Sequence, residues 1–223
     1  MRTLVIAPHP DDETIGVGAT ILKRLKKGDK VAWLLITSMN ENYYEKKEIF
    51  EKEKQIKNVA KAYKFTKIYR LNLPTSQLDT IPLKKIIDKL SDIINNFKPN
   101  EVFLPHPYDA HSDHKIVFEA TSACTKSFRY PFVKKILSYE TLSETGYGLK
   151  SKKKAIEFSP NYYVDITTMI KKKIKISKLY KTEFKKHPFP RSLESIISNA
   201  LIRGAESNKK YAEAFELLRI IEE

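Results

Sequence analysis

The first half of the chain alternates short, continuously apolar segments with longer segments of helical periodicity. The predicted strands are Arg2–Ala7, Lys30–Thr37, Thr66–Asn72 and Asn100–Pro105, and the helices are Thr14–Lys27, Glu45–Tyr63, Pro82–Phe97 and 113–126. Strands that lack an alternating polar face are buried on both sides, as in parallel sheets covered by helices. We therefore expect an α/β fold: a Rossmann-like, doubly wound, mostly parallel sheet of strand order 3-2-1-4-5 with helices on both faces.

The pattern weakens after residue 135. Two further strands are predicted, Ile136–Glu140 and Tyr162–Ile166, and three helices, Thr168–Lys185, Leu193–Arg203 and Lys210–Ile221. Because no linker, repeat or low-complexity segment interrupts the chain, we expect residues 1–223 to form a single domain with a helical C-terminal portion.

Composition excludes several classes of protein. The single Cys124 cannot form an internal disulfide or supply a multi-cysteine zinc site, which favours a reducing, cytoplasmic setting. No segment approaches the ~20 apolar residues of a transmembrane helix, and the apolar run at the N-terminus is too short for a signal peptide. The net charge is +14, and twelve lysines lie between residues 150 and 186. Arginine and aromatic residues are not interleaved among them, so a solvated face is favoured over a nucleic-acid surface.

Two loops carry an unusual density of histidine and aspartate. Residues 8–13 (PHPDDE) follow the first strand, and residues 105–114 (PHPYDAHSDH) follow the fourth. Together they hold four of the five histidines and four aspartates. In the predicted strand order these loops lie side by side where the winding reverses, which is where ligands bind in open α/β sheets.

A cluster of this kind is costly to bury unless its members are paired or bind a metal. A catalytic zinc site needs three nitrogen or oxygen ligands and one open position for water, and two histidines with a carboxylate meet that need. A structural role is open for single members, since Asp113 could cap the following helix. The turn after the first strand has no glycine-rich phosphate cradle, which argues against nucleotide binding.

The paired motifs PHPDDE and HSDH, about a hundred residues apart, resemble those of the LmbE/PIG-L-like family of zinc-dependent sugar N-deacetylases. The tail resembles many bacterial members at residues 160–166, 190–192, 203–204 and 211–215. One departure lies on the second helix, where many members carry Arg-x-x-Glu and this chain has Lys52-Glu53-Lys54-Gln55. A bidentate arginine contact is therefore in doubt at that point.

The resemblance implies a role for each matching residue. It makes Asp11 the general base, and His111 an imidazolium that stabilises the oxyanion and is held protonated by Asp113. The implied zinc ligands are His9, Asp12 and His114, with another divalent metal as an alternative.

Substrate contacts are less constrained. Arg191 and Arg203 are candidates for binding a phosphate or carboxylate of the substrate, and each could equally be a surface or helix-end residue. Tyr108 and Asp109 are further candidates, with a loop-fixing role as the alternative for Asp109. No motif constrains the loops 39–44, 74–78 and 140–149, where specificity is expected to lie.

The resemblance implies a metal-dependent hydrolase that removes the acetyl group from an N-acetylated amino sugar, with a zinc-bound water as nucleophile. The sugar could be free or phosphate-, nucleotide- or lipid-linked. One alternative keeps the metal and changes the substrate to a non-sugar N-acyl compound. Another, of a different class, is a basic module that binds nucleic acid or anionic lipid. The resemblance also leaves a homo-oligomer open.

Overall fold

The computed structural model describes residues 1–148 and 157–222. The lysine-rich segment 150–186 therefore lies partly outside the described residues. The strands are β1 (Arg2–Ala7), β2 (Lys30–Ser38), β3 (Lys67–Pro74), β4 (Glu101–Pro105), β5 (Lys135–Tyr139), β6 (Tyr162–Asp165) and β7 (Ala212–Ile220). The helices are α1 (Asp12–Lys26), α2 (Lys46–Tyr63), α3 (Leu83–Phe97), α4 (Ser112–Ala123), α5 (Ile170–Ser177) and α6 (Leu193–Glu206), with a 3₁₀ turn at Leu78–Thr80.

The strands form one sheet in the order β3-β2-β1-β4-β5-β7-β6. The pairings from β3 to β5 are parallel, whereas β7 pairs antiparallel with both β5 and β6. The α/β class is confirmed, but the prediction of a mostly parallel sheet ordered 3-2-1-4-5 is wrong, because the sheet is mixed and two strands extend it beyond that order.

The predicted C-terminal helix is also wrong. Segment 210–221 contains strand β7 instead, whose first four residues are buried. Its apolar residues do not distinguish a helix from a half-buried strand, and pairing with the distant strands β5 and β6 decides between them. Helix α5 is likewise shorter than the predicted Thr168–Lys185.

Alternate residues of the central strands face opposite layers of the core. Leu4 and Ile6 of β1 pack with apolar residues of α3 and α4, whereas Val5 packs with those of α1, α5 and α6. Burial on both faces explains why the strands are continuously apolar.

Strands β1 and β4 are parallel neighbours, with Val5 opposite Phe103. Their carboxyl ends therefore lie at the same edge of the sheet, and the two histidine-rich loops meet there. Within residues 1–148 and 157–222, none of the helices has both the length and the apolar character that spanning a bilayer requires.

Candidate metal and catalytic site

The loop after β1 forms a tight turn into helix α1. Asp11 has a φ of 131°, a conformation that residues other than glycine rarely adopt. Its carbonyl oxygen accepts the first helical hydrogen bonds, from the backbone N–H groups of Thr14 and Ile15. The Asp12 carboxylate accepts a hydrogen bond from the His9 backbone N–H at 2.8 Å. The turn therefore brings His9, Asp11 and Asp12 to one side of the helix N-terminus.

The loop after β4 leads into helix α4, whose N-cap is His111. Its Nδ1 accepts a hydrogen bond from the Asp113 backbone N–H at 3.1 Å. Asp113 is thus not the capping residue that the structural alternative suggested. Because Nδ1 accepts, a neutral His111 carries its proton on Nε2.

The three predicted ligands form one cluster. His9, Asp12 and His114 each offer a ligand atom, and these atoms all lie within 4.8 Å of one another. Asp12 Oδ2 is 3.5 Å from His9 Nδ1 and 3.3 Å from His114 Nε2. Two imidazole nitrogens and a carboxylate oxygen are a donor set that suits a divalent metal such as zinc. A second group, whose ligand atoms also lie within 4.8 Å of one another, consists of His9, His111 and Asp113.

Two buried carboxylates orient the histidines. Asp109 Oδ2 lies 2.7 Å from His114 Nδ1, and Asp113 Oδ2 lies 2.9 Å from His9 Nε2. His114 Nε2, on the opposite side of its ring, is buried and makes no hydrogen bond. Histidines that bind metals are commonly held in this way, by a carboxylate on the nitrogen that does not coordinate. The residues present therefore fit a divalent cation.

The carboxylates favour positive charge at the two imidazoles. Burial by itself would lower the pKa of His114, but Asp12 and Asp109 raise it to about 10. Burial likewise opposes the charged form of His9, and its contacts with Asp113 and Asp12 raise its pKa to about 9. In contrast, burial and the charge of His9 lower the pKa of His111 to about 4. This favours the neutral form of His111 while His9 is charged, whereas the resemblance implies an imidazolium.

Asp11 is a buried carboxylate with an unsatisfied oxygen. The residue is 3% exposed, and its Oδ2 makes no hydrogen bond. Burial and the charge of Asp12 raise its pKa well above the usual range. The Nε of Arg191 is 3.7 Å from Asp11 Oδ2 and partly offsets this effect. A carboxylate with a free lone pair and a raised pKa suits proton transfer.

The cluster opens into a cavity of about 420 Å³. The two motifs supply its floor, and four other parts of the chain supply its walls. The wall residues are Met39, Tyr44, Thr75, Ser76, Glu144, Glu183 and Arg191. The loops 39–44, 74–78 and 140–149, where specificity is expected to lie, each contribute to these walls. Glu144 and Glu183 were not identified from the sequence, because no motif marks them and only tertiary contacts bring them to the site.

The candidate substrate residues separate into two groups. Arg191 lines the cavity, and Asp109 lies behind His114 as its hydrogen-bond partner. Tyr108 and Arg203 do not line it; the guanidinium of Arg203 forms two 2.9 Å hydrogen bonds with the carboxylate of Glu140.

Asp113 also differs from its implied role. Its carboxylate contacts His9 and two backbone N–H groups, and its hydrogen bond with His111 is made by its own backbone N–H. Among the described residues, no hydrogen bond joins the Asp113 carboxylate to His111, although one of its oxygens lies within 4.8 Å of a His111 ring nitrogen and its charge raises the pKa of His111.

An arginine from outside the second helix reaches the site. Lys52 of α2 forms an ion pair with Glu183, and Glu183 Oε2 lies 3.3 Å from Arg191 Nη2. Arg191 in turn faces Asp11. A guanidinium from the C-terminal half of the chain thus reaches the site, and Lys52 holds its carboxylate partner.

Comparisons with known proteins show the family to which the chain belongs. Residues 4–125, which include both motifs, match the profile of the family described as PIG-L, GlcNAc-PI de-N-acetylase. The diacetylchitobiose deacetylase of Thermococcus kodakarensis is 26% identical over 230 residues, covering 97% of this chain and 83% of that protein. A probable N-acetyl-alpha-D-glucosaminyl L-malate deacetylase 2 of Bacillus subtilis is 27% identical over 128 residues, covering 53% and 58% of the two chains.

Among solved structures, the N,N'-diacetylchitobiose deacetylase of Pyrococcus horikoshii superimposes with a TM-score of 0.76. The alignment covers 98% of this chain and 84% of that one at 24% identity, so it establishes the shared fold. With the matched family profile spanning more than half of its length, the chain belongs to the PIG-L family and is an N-deacetylase of the hydrolase class.

Proposed function

We propose that this chain is a zinc-dependent hydrolase that removes the acetyl group from the N-acetyl amide of an amino sugar or a sugar conjugate. The observation that carries the proposal is the buried Nε2 of His114, which makes no hydrogen bond and faces Asp12 Oδ2 at 3.3 Å while Asp109 holds the other ring nitrogen. His9, Asp12 and His114 are the proposed ligands. A zinc ion bound by them would polarise the amide carbonyl as a Lewis acid and lower the pKa of a water to about 7.

The proposed work of Asp11 is proton transfer. Its unpartnered Oδ2 removes a proton from the attacking water and then delivers a proton to the departing nitrogen, so that the amide and water yield acetate and a free amine. Arg191, 3.7 Å away, restrains this carboxylate and balances its charge.

His111 is proposed to stabilise the oxyanion that develops on the carbonyl oxygen. With Nδ1 committed to the helix cap, the neutral ring has its Nε2–H available for donation. A donor of this kind is typically worth about 3–4 kcal/mol of barrier. A neutral imidazole can donate this hydrogen bond, so the proposal does not require the imidazolium that the resemblance implies.

The sugar as substrate is supported by the relatives, which include diacetylchitobiose and N-acetylglucosaminyl malate deacetylases. A cavity of about 420 Å³ with hydroxyl, carboxylate and guanidinium groups in its walls suits a polar ring with several hydroxyl groups.

The test is an acetate-release screen of the zinc-loaded protein over N-acetylhexosamine derivatives, with His114→Ala as the blank. Non-sugar N-acyl amino acids form the second arm. The proposal is supported if the wild-type protein releases acetate from at least one sugar derivative faster than the blank does and faster than it does from every non-sugar amide. Release confined to the non-sugar amides would refute the sugar assignment, and equal release by the blank would refute the metal site.

A further inference from the structure

The carboxylate of Asp113 joins groups from two separate parts of the chain. Asp113 is fully buried. Its Oδ2 lies 2.9 Å from His9 Nε2 and accepts the Ser76 backbone N–H at 2.7 Å, while its Oδ1 accepts the Leu78 backbone N–H at 3.2 Å. One residue thus contacts a proposed metal ligand, an amide of the loop after β3 and the amide of the first residue of the 3₁₀ turn.

This loop, residues 75–78, forms part of the cavity wall through Thr75 and Ser76. Ser76 has a φ of 59°, in the left-handed region that residues other than glycine and asparagine seldom occupy. Such a conformation persists only where its surroundings impose it. Leu78 is buried in the core at one end of the loop, and the Thr75 N–H donates to the Ser38 carbonyl at the other. Between these anchors, the Ser76 and Leu78 amides are held by Asp113.

We propose that Asp113 is a positioning residue that couples His9 to the loop 75–78, so that metal binding and the shape of the substrate-side wall depend on each other. The inference deepens the proposed function and depends on its assignment of His9 as a ligand. A carboxylate that must orient the imidazole of His9 and satisfy the loop amides at once cannot release one without disturbing the other. Such coupling is reciprocal: a metal held by His9 stabilises the loop, and an ordered loop strengthens metal binding.

The principal test is Asp113→Asn. The amide group has one oxygen, so its nitrogen must replace either the oxygen that serves His9 and Ser76 or the one that serves Leu78. In the metal-free protein, hydrogen exchange of at least one of the two loop amides is expected to accelerate about 5-fold to 150-fold relative to the amides of β1, which report global stability. Zinc affinity, measured by chelator competition, is expected to fall about 10-fold to 100-fold.

Asp109→Asn is the matched control. This substitution removes a buried carboxylate from the other histidine, His114. The hydrogen bonds of the Asp109 carboxylate within the described part of the chain are to His114 and Thr145, and neither residue belongs to the loop 75–78. Zinc affinity should fall in this variant too, while exchange of the Ser76 and Leu78 amides remains at the wild-type rate. If Asp109→Asn accelerates hydrogen exchange of those two amides as much as Asp113→Asn does, the coupling is overturned, because any weakening of the site would then destabilise the loop.

His111→Ala separates the proposal from the role implied by the family pattern. If Asp113 acted through His111, Asp113→Asn would leave zinc affinity and loop exchange unchanged and would reduce kcat to the same extent as His111→Ala. That result overturns the proposal.

A measurement on the unmodified protein guards against a variant that fails to fold. Saturating zinc is expected to slow exchange of the Ser76 and Leu78 amides by about 5-fold to 150-fold beyond its effect on β1. Exchange that zinc does not change refutes the coupling. These measurements use no substrate, so they decide the inference even if every sugar in the screen fails.

Discussion

Asp11→Asn should separate catalysis from stability in this protein. The proposed base is 3% exposed, and its Oδ2 has no hydrogen bond to lose. The isosteric amide therefore fits the same space, but it cannot accept a proton from water. General-base catalysis typically contributes 10²-fold to 10⁴-fold, so kcat should fall by that factor, which is about 3–5 kcal/mol of barrier.

The same substitution should stabilise the fold at neutral pH. Burial and the charge of Asp12 raise the pKa of Asp11, so the folded protein disfavours the ionised carboxylate. A raised carboxyl pKa means that stability is lost as pH rises through the folded-state value. The amide variant avoids that loss. Its advantage over wild type should be small near pH 4 and should grow as pH increases.

The assay combines single-turnover acetate release with zinc content and with urea unfolding of the metal-free protein between pH 4 and pH 8. Zinc content should stay near the wild-type value, because the proposed ligands are His9, Asp12 and His114. Turnover within tenfold of wild type at equal zinc content would refute the role of Asp11. A variant less stable than wild type at neutral pH would refute the electrostatic reasoning.

Three further predictions concern the metal, the packing of helix α1 and a carboxylate of strand β7. A chelator should abolish activity and lower the Tm, and excess zinc should restore both. The reason is that a cation that binds only the folded state stabilises it by mass action. A Tm that the chelator leaves unchanged contradicts a resident metal. Gly16→Ala should lower the free energy of unfolding, measured in urea, by about 1–3 kcal/mol, because the new Cβ would lie 2.8 Å from Cγ of the buried Tyr139 ring. A variant at least as stable as wild type refutes this prediction. Burial opposes ionisation of Glu216, but its hydrogen bond with His106 keeps its pKa below the usual 4.5. Its contribution to stability is therefore present above that pH and lost as pH falls through the lower folded-state value. Glu216→Gln should be less stable than wild type at pH 7 and should approach wild-type stability in acid; a deficit that does not shrink contradicts this role of the Glu216 carboxylate.

The early part of the fold could be predicted because each of its elements is specified locally. The continuously apolar strands β1, β2 and β4 indicate burial on both faces, and strand-helix alternation implies parallel pairing between neighbours. The C-terminal region has no such local signal. Strand β7 owes its conformation to pairing with β5, which lies more than seventy residues earlier.

For the site, the amino-acid sequence alone determined which residue types are available and which loops carry them. The motifs contain the His, Asp and His donors, and the expected adjacency of the loops after β1 and β4 follows from strand order. Tertiary structure alone decided which atom faces which partner: Asp113 holds His9 and the loop 75–78, while Arg191 reaches Asp11 with Glu183 beside it. The physical reason is the distance along the chain over which each kind of interaction acts. Apolar periodicity and turn chemistry act between near neighbours in the chain, whereas a hydrogen bond depends on distances of about 3 Å between residues that only the completed fold brings together.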